Sequence, residues 1–159
     1  MARSDGLERF RVAASELGVD IEPVRYPEGT RTASDAAAAI GCAVGQIVKS
    51  LVFSTPGDAV LALTSGANRV DTTALGAVAA TTIERADADA ARAATGFSIG
   101  ATPPFGHPTP IRTFIDRDLL VHDLVWAAAG SQDSVFPISP QLLVAVAGGV
   151  VADFAVRSP

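Results

Sequence analysis

Lysine occurs once in this chain, as Lys49, whereas arginine occurs eleven times. The lysine sits inside an apolar run, Ile47-Val48-Lys49-Ser50-Leu51-Val52-Phe53. Its ammonium is a compact point charge on a flexible stem, and burial shifts its pKa readily. Removing such a charge from water is costly unless it finds a partner or loses its proton. In a site, it can hold a phosphate oxygen or stabilise negative charge developing on a carbonyl oxygen. The ordinary alternatives are a stem laid on apolar surface with its head in water, or a lysine that protects a sheet edge. Alternation places Ile47, Lys49, Leu51 and Phe53 on one face and Val48, Ser50 and Val52 on the other. Both faces are largely apolar, which favours a central strand over an edge and a functional lysine over a protective one.

A second segment with chemical potential is Gly100-Ala101-Thr102-Pro103-Pro104-Phe105-Gly106-His107. Its prolines fix the backbone and its glycines permit conformations closed to other residues. Such a loop can offer the Ala101 and Thr102 N–H groups to a carbonyl oxygen or oxyanion. The plainer reading is a stiff connector. His107 reads as an exposed loop residue, and His122 as structural or solvated. Asp71 and Asp116 are candidates to pair with Lys49 or to cap an element. Two apparent motifs fail. Gly41-x-x-x-Gly45 is not followed directly by a lysine at a helix start, as a phosphate-binding loop requires. No Gly-x-Ser-x-Gly elbow accompanies the serines and histidines.

The elements around these residues follow from pattern. A helix is expected over 4–17, with Leu7, Phe10, Ala14 and Leu17 on one face, Ser4 as N-cap and Gly18 as the stop. A short extended segment over 21–26 ends at Pro27 and Gly29, and a helix over 34–40 closes at Gly41. Residues 46–54 and 59–64 form a hairpin about Thr55-Pro56-Gly57-Asp58. Asp71 caps a helix reaching 78, a strand lies near 81–84, and a helix over 87–95 ends at Gly96. Residues 96–110 hold three glycines and four prolines and are irregular. Strands are expected over 111–115, 124–128 and 135–138. A helix opens at Ser139-Pro140, and a final strand spans 150–156. Hairpins mixed with helices indicate an α/β or α+β fold on one mixed, curved sheet with flanking helices, the whole of 1–159 forming a single domain.

At 159 residues, with 48% hydrophobic and 18% charged, the chain is expected to fold around a sizeable core. The N-terminus lacks the apolar stretch of a signal peptide and no run reaches membrane-span length. A cytoplasmic protein with no membrane association is the expectation. The single Cys42 fits a reducing compartment. One cysteine and two histidines at unrelated positions give no metal-binding spacing, so neither metal nor cofactor is expected. A net charge of −5 argues against extensive nucleic-acid binding, which depends on neutralising many phosphates. Contact with one end of a nucleic acid remains open.

In order, the chain presents Ile47 to Phe53, Val60-Leu61-Ala62-Leu63-Thr64, Asn68-Arg69-Val70-Asp71, Gly100 to Gly106 and Thr113-Phe114-Ile115-Asp116. This series resembles the YbaK/prolyl-tRNA-synthetase-associated editing domain family across roughly residues 7–155. The resemblance implies a freestanding deacylase that hydrolyses mischarged aminoacyl-tRNA, notably proline tRNA carrying a wrong small amino acid such as Cys or Ala. It implies weak, transient contact with the aminoacyl-tRNA 3′ end and an association with prolyl-tRNA synthetase. Lys49 and Gly100 become the catalytic positions, with Ser50, Thr64, Ala101, Thr102, Pro104 and Asp116 about the substrate. Two departures bear on amino-acid choice. Pro103 stands where many members have Ser, and Ala127-Ala128-Ala129-Gly130 holds alanines where several have Ser and Gly. The competing readings are a non-catalytic module binding an aminoacyl or nucleotide group, and a hydrolase of small esters.

Overall fold

The strand that carries Lys49 organises the fold. In the computed structural model, which describes residues 2–26 and 32–157, β2 (Ile47–Thr55) pairs antiparallel with β3 (Asp58–Ser65) from Val48 to Thr55. The β-branched and aromatic residues that fill both strands suit a pleated surface buried on its two sides. Gly57, at φ +81°, makes the tight reversal between them.

The remaining elements are α1 (Ala2–Glu16), β1 (Val24–Arg25), α2 (Ala33–Ile40), β4 (Asn68–Val70), α3 (Thr72–Ala79), β5 (Glu84–Arg85), α4 (Ala88–Thr95), β6 (Arg112–Asp116), β7 (Val125–Ala128), β8 (Ser134–Ile138), α5 (Pro140–Ala147), β9 (Val150–Ala152) and β10 (Ala155–Arg157). The main sheet runs β1-β8-β7-β2-β3-β6-β9, with β5 joining β2 beside that path. The β2–β7, β3–β6 and β6–β9 pairs are parallel and the others antiparallel, so the sheet is mixed. β10 and β4 form a separate two-stranded ladder.

Helices cover both faces. On one, Phe10 and Ala14 of α1, Ala91 of α4 and Leu143 of α5 pack against Val48, Val52, Leu61 and Leu63. On the other, Leu75 and Ala79 of α3 meet Phe53, Val60, Ala62, Phe114 and Phe154. A third cluster joins Ala36 and Ala37 of α2 to Ile47, with Tyr26 and Trp126 at its margin. Lys49 therefore belongs to the face shared by α2 and α3.

Capping chemistry sets the helix limits. Thr32 and Asp35 make a reciprocal capping box on α2, and Asp71, Asp87 and Ser139 accept from the first turns of α3, α4 and α5. Three expectations require correction. α1 begins at Ala2, so Ser4 lies inside the helix and does not cap it, and Leu17 is exposed. The strand expected near 81–84 is confined to Glu84–Arg85. The single strand expected over 150–156 is two, β9 and β10. Phe154 turns into the core between them, while Asp153 faces out to Arg117 and Arg157. Pro27 and Gly29 lie outside the described residues.

Candidate functional site

β2 is paired on one side along its length, but on the other only at its ends. There it meets β7 at Ile47 and Val48, and β5 at Phe53 and Ser54. The stretch between is an open strand edge inside an otherwise continuous sheet, and a cavity of about 530 Å³ lies against it. Lys49, Ser50 and Leu51 form its strand wall, Gly100 and Thr102 its loop wall, and Trp126, Tyr26 and Ala36 an apolar side. Its volume falls within the range usual for small-ligand sites.

Lys49 is half-buried and its ammonium donates to the backbone carbonyl of Asn68. The Asn68 side chain in turn donates to Asp116 Oδ2 at 2.9 Å and to Asp118 Oδ2 at 2.8 Å. Asp116 is fully buried and also accepts from the N–H groups of Ser65 and Asp118. Arg157 closes the outer end of this network on Asp118. Burial pushes the Lys49 pKa below the ordinary lysine value, and Arg85 pushes it the same way. Asp116 acts in the opposite sense, and Arg69 again lowers it. Lys49 is thus the cavity-lining member of a cationic corner that one buried carboxylate balances from behind.

The loop wall is rigid. Gly100 takes φ +86°, a conformation that favours glycine. The Ala101 N–H donates to Ser98 O at 3.0 Å, and Thr102 Oγ1 donates to the same oxygen. Farther on, Phe105 packs against Phe10 and Phe136 with ring centroids 5.2 and 5.9 Å away, which anchors the loop in the core. His107 Nε2 donates to Pro103 O at 2.8 Å, and burial lowers the imidazole pKa. From the neighbouring loop, Gln132 Nε2 donates to Ile99 O and Ser98 Oγ.

Four of the residues expected in the site come together at the cavity: Lys49, Ser50, Gly100 and Thr102. Ser50 Oγ is buried and has no hydrogen-bond partner among the described residues. Thr64 faces Lys49 across the β2–β3 ladder, but it is buried and its hydroxyl turns to Ala62 O. Ala101 and Pro104 are buried behind the loop wall, away from the cavity lining. The Ala101 N–H is engaged by Ser98 O, so it does not point at a ligand as expected. Asp116 supports Asn68 instead of meeting the ammonium directly, and Asp71 caps α3. His107 is partly buried, contrary to its reading as an exposed loop residue. Tyr26, Trp126 and Gln132 were not foreseen. They carry no motif and reach the cavity through pairings that join distant segments.

This arrangement suits an acyl group whose carbonyl oxygen meets a cation and a polar loop. The sequence model of the aminoacyl-tRNA editing domain matches residues 27–146, which include the strand, loop and apolar walls except Tyr26. The chain belongs to the aminoacyl-tRNA editing domain family. Among solved structures, it is similar to a candidate trans-editing enzyme for prolyl-tRNA synthetase, at 40% identity and a TM-score of 0.91, covering 95% of this chain and 97% of that one. A scaffold protein used in computational epitope backbone grafting is 38% identical with a TM-score of 0.90, covering 96% and 98%. A candidate signal-transduction protein from Marinobacter aquaeolei VT8 shares the fold at 16% identity and a TM-score of 0.67. That match covers 94% of this chain but 31% of the other. Editing-domain architecture thus accounts for nearly the full length of this chain. No helix among the described residues is long and apolar enough to cross a membrane.

Proposed function

We propose that this protein acts in trans as a deacylase of mischarged aminoacyl-tRNA, within the YbaK/prolyl-tRNA-synthetase-associated branch of the editing-domain family. Its proposed substrate is proline tRNA carrying a wrong small amino acid such as Cys or Ala. The observation that carries this reading is the convergence of Lys49 with Gly100 and Thr102 on one cavity at the open edge of β2. Support for the proline branch comes from the likeness to the candidate trans-editing enzyme.

In the proposed reaction, water attacks the ester carbonyl carbon, the bond to the ribose oxygen breaks, and that oxygen takes up a proton. The products are free amino acid and uncharged tRNA. The ester is already activated, so positioning and charge stabilisation account for most of the catalysis. Lys49 stabilises the carbonyl oxygen as it becomes anionic, or holds the 3′-terminal phosphate, with Arg69 and Arg85 adding to the local positive field. Ser50 and Thr102 line the path of the acyl group. The described lining residues include no carboxylate and no imidazole; in the proposed reaction a hydroxyl or thiol of the substrate relays the water's proton. Of the alanines at 127–129, Ala128 lies on the cavity wall and offers an apolar surface suited to a small side chain, while Ala127 and Ala129 pack into the core.

The test is release of amino acid from a panel of correctly and incorrectly charged tRNAs by the purified protein. Preferential cleavage of proline tRNA carrying Ala or Cys supports the proposal. Binding without cleavage of any member supports a regulatory module, and cleavage of small esters alone supports a metabolite hydrolase.

A further inference from the structure

Gln132 lines the same cavity as Lys49, and its carboxamide is held in one orientation. Both amide hydrogens have acceptors: Ile99 O at 2.7 Å and Ser98 Oγ at 3.1 Å. The oxygen Oε1 is thereby directed along Gly100, and a Cβ built on Gly100 would stand 2.7 Å from it. A carboxamide oxygen accepts up to two hydrogen bonds, and no described residue donates to this one. The described lining residues contain no carboxylate. An aminoacyl ester nevertheless brings an α-amino group that must be hydrogen-bonded once it leaves water. With the Lys49 ammonium in the same cavity, the neutral amine is the favoured form, and a neutral acceptor matches it.

We propose that Gln132 Oε1 accepts a hydrogen bond from the substrate's α-amino group, making Gln132 the residue that distinguishes aminoacyl esters from plain acyl esters. The assignment rests on the deacylase reading. It also gives Gly100 a second role, since any side chain there would cover the oxygen that receives the amine.

The experiment compares kcat/KM for the aminoacyl-tRNA cleaved fastest in the panel with that for the same tRNA carrying the matching acid without its α-amino group (propionate for alanine). Wild type, Gln132→Leu and Gln132→Glu are measured side by side. The wild-type preference for the amino substrate should exceed that of Gln132→Leu by about fivefold, the scale of one neutral hydrogen bond from an exposed side chain. Gln132→Glu keeps an acceptor but loses the two amide donors that orient it, so its preference should fall with that of Gln132→Leu. If Gln132 only pins the 98–102 loop, Gln132→Leu will slow both substrates equally and leave the preference unchanged, which overturns the proposal. A wild-type enzyme that cleaves both esters with the preference of Gln132→Leu overturns it too while leaving the deacylase reading intact. A wild-type protein that cleaves neither ester removes both.

Discussion

The ammonium of Lys49 is held by the main-chain carbonyl of Asn68, and the side chain of that same Asn68 is held by Asp116. Residue 68 therefore transmits the position of a fully buried carboxylate to the cation at the cavity wall. Replacing Asp116 by Ala leaves the Ser65 N–H and the Asn68 amide short of an acceptor. The expected cost is about 2 kcal/mol of folding stability, the scale for buried groups left without a charged partner. Deacylation should fall as well, because the Asn68 carbonyl is no longer fixed. Chemical denaturation and kcat/KM measured on Asp116→Ala check both effects, and full activity in a destabilised variant would show that the network serves folding alone.

His107 couples acidity to the loop wall. Its pKa is lowered mainly by burial, so the folded protein binds fewer protons there than the unfolded chain below pH 6.5. The His107 contribution to stability is therefore present above pH 6.5 and lost as the pH falls through the lower folded value. His107→Gln removes the titration while retaining a donor for Pro103 O. The thermal midpoint of wild type should drop more between neutral pH and pH ~5 than that of His107→Gln. Parallel curves would mean that the imidazole does not resist protonation in the fold.

A close crossing holds the Gln132 loop against the first helix. Gly130 has φ +99°, and a Cβ there would lie 2.3 Å from Gly6 O. Gly130→Ala is therefore expected to destabilise the protein by about 2 kcal/mol or more, since backbone strain and a clash with main chain add together. Gly18→Ala adds a side chain at φ +80° with nothing within 4 Å, and isolates the backbone part of that cost.

With a net charge of −5, the protein should grip tRNA weakly and through few phosphates. Affinity for uncharged tRNA is expected in the micromolar range or weaker, with a shallow salt dependence. Titrations across ionic strength check this, and tight binding that collapses with salt would reveal an extensive phosphate-binding surface.

Much of this organisation was legible in the residues. The β2–β3 hairpin is written in two apolar, strand-forming runs around Pro56-Gly57, and α3 and α4 in the capping aspartates 71 and 87. Lys49 stood out because no other lysine exists to form a background. The open edge of β2 was not legible, because it depends on where β7 and β5 stop pairing, and those strands lie far along the chain. The same reason hides Gln132 and Trp126, which reach the cavity only through the β7–β8 hairpin. The Asn68 contact escaped because a main-chain carbonyl leaves no mark in residue identity. The split between β9 and β10 reflects Phe154 entering a second core, a tertiary demand that overrides a run of strand-forming residues.

The central claim is that the charge of Lys49 acts on the reacting ester, and deacylation of mischarged proline tRNA by wild type, Lys49→Ala and Lys49→Arg tests it most directly. Lys49→Ala should remain folded and lose roughly 100-fold or more in rate, about 3 kcal/mol of transition-state stabilisation. Lys49→Arg should recover little, because a planar guanidinium spreads its charge and does not fit a site built for an ammonium. Wild-type activity should also decline at alkaline pH earlier than an ordinary lysine would dictate, because burial and Arg85 lower the Lys49 pKa. A folded Lys49→Ala variant that cleaves the ester at the wild-type rate would contradict the account.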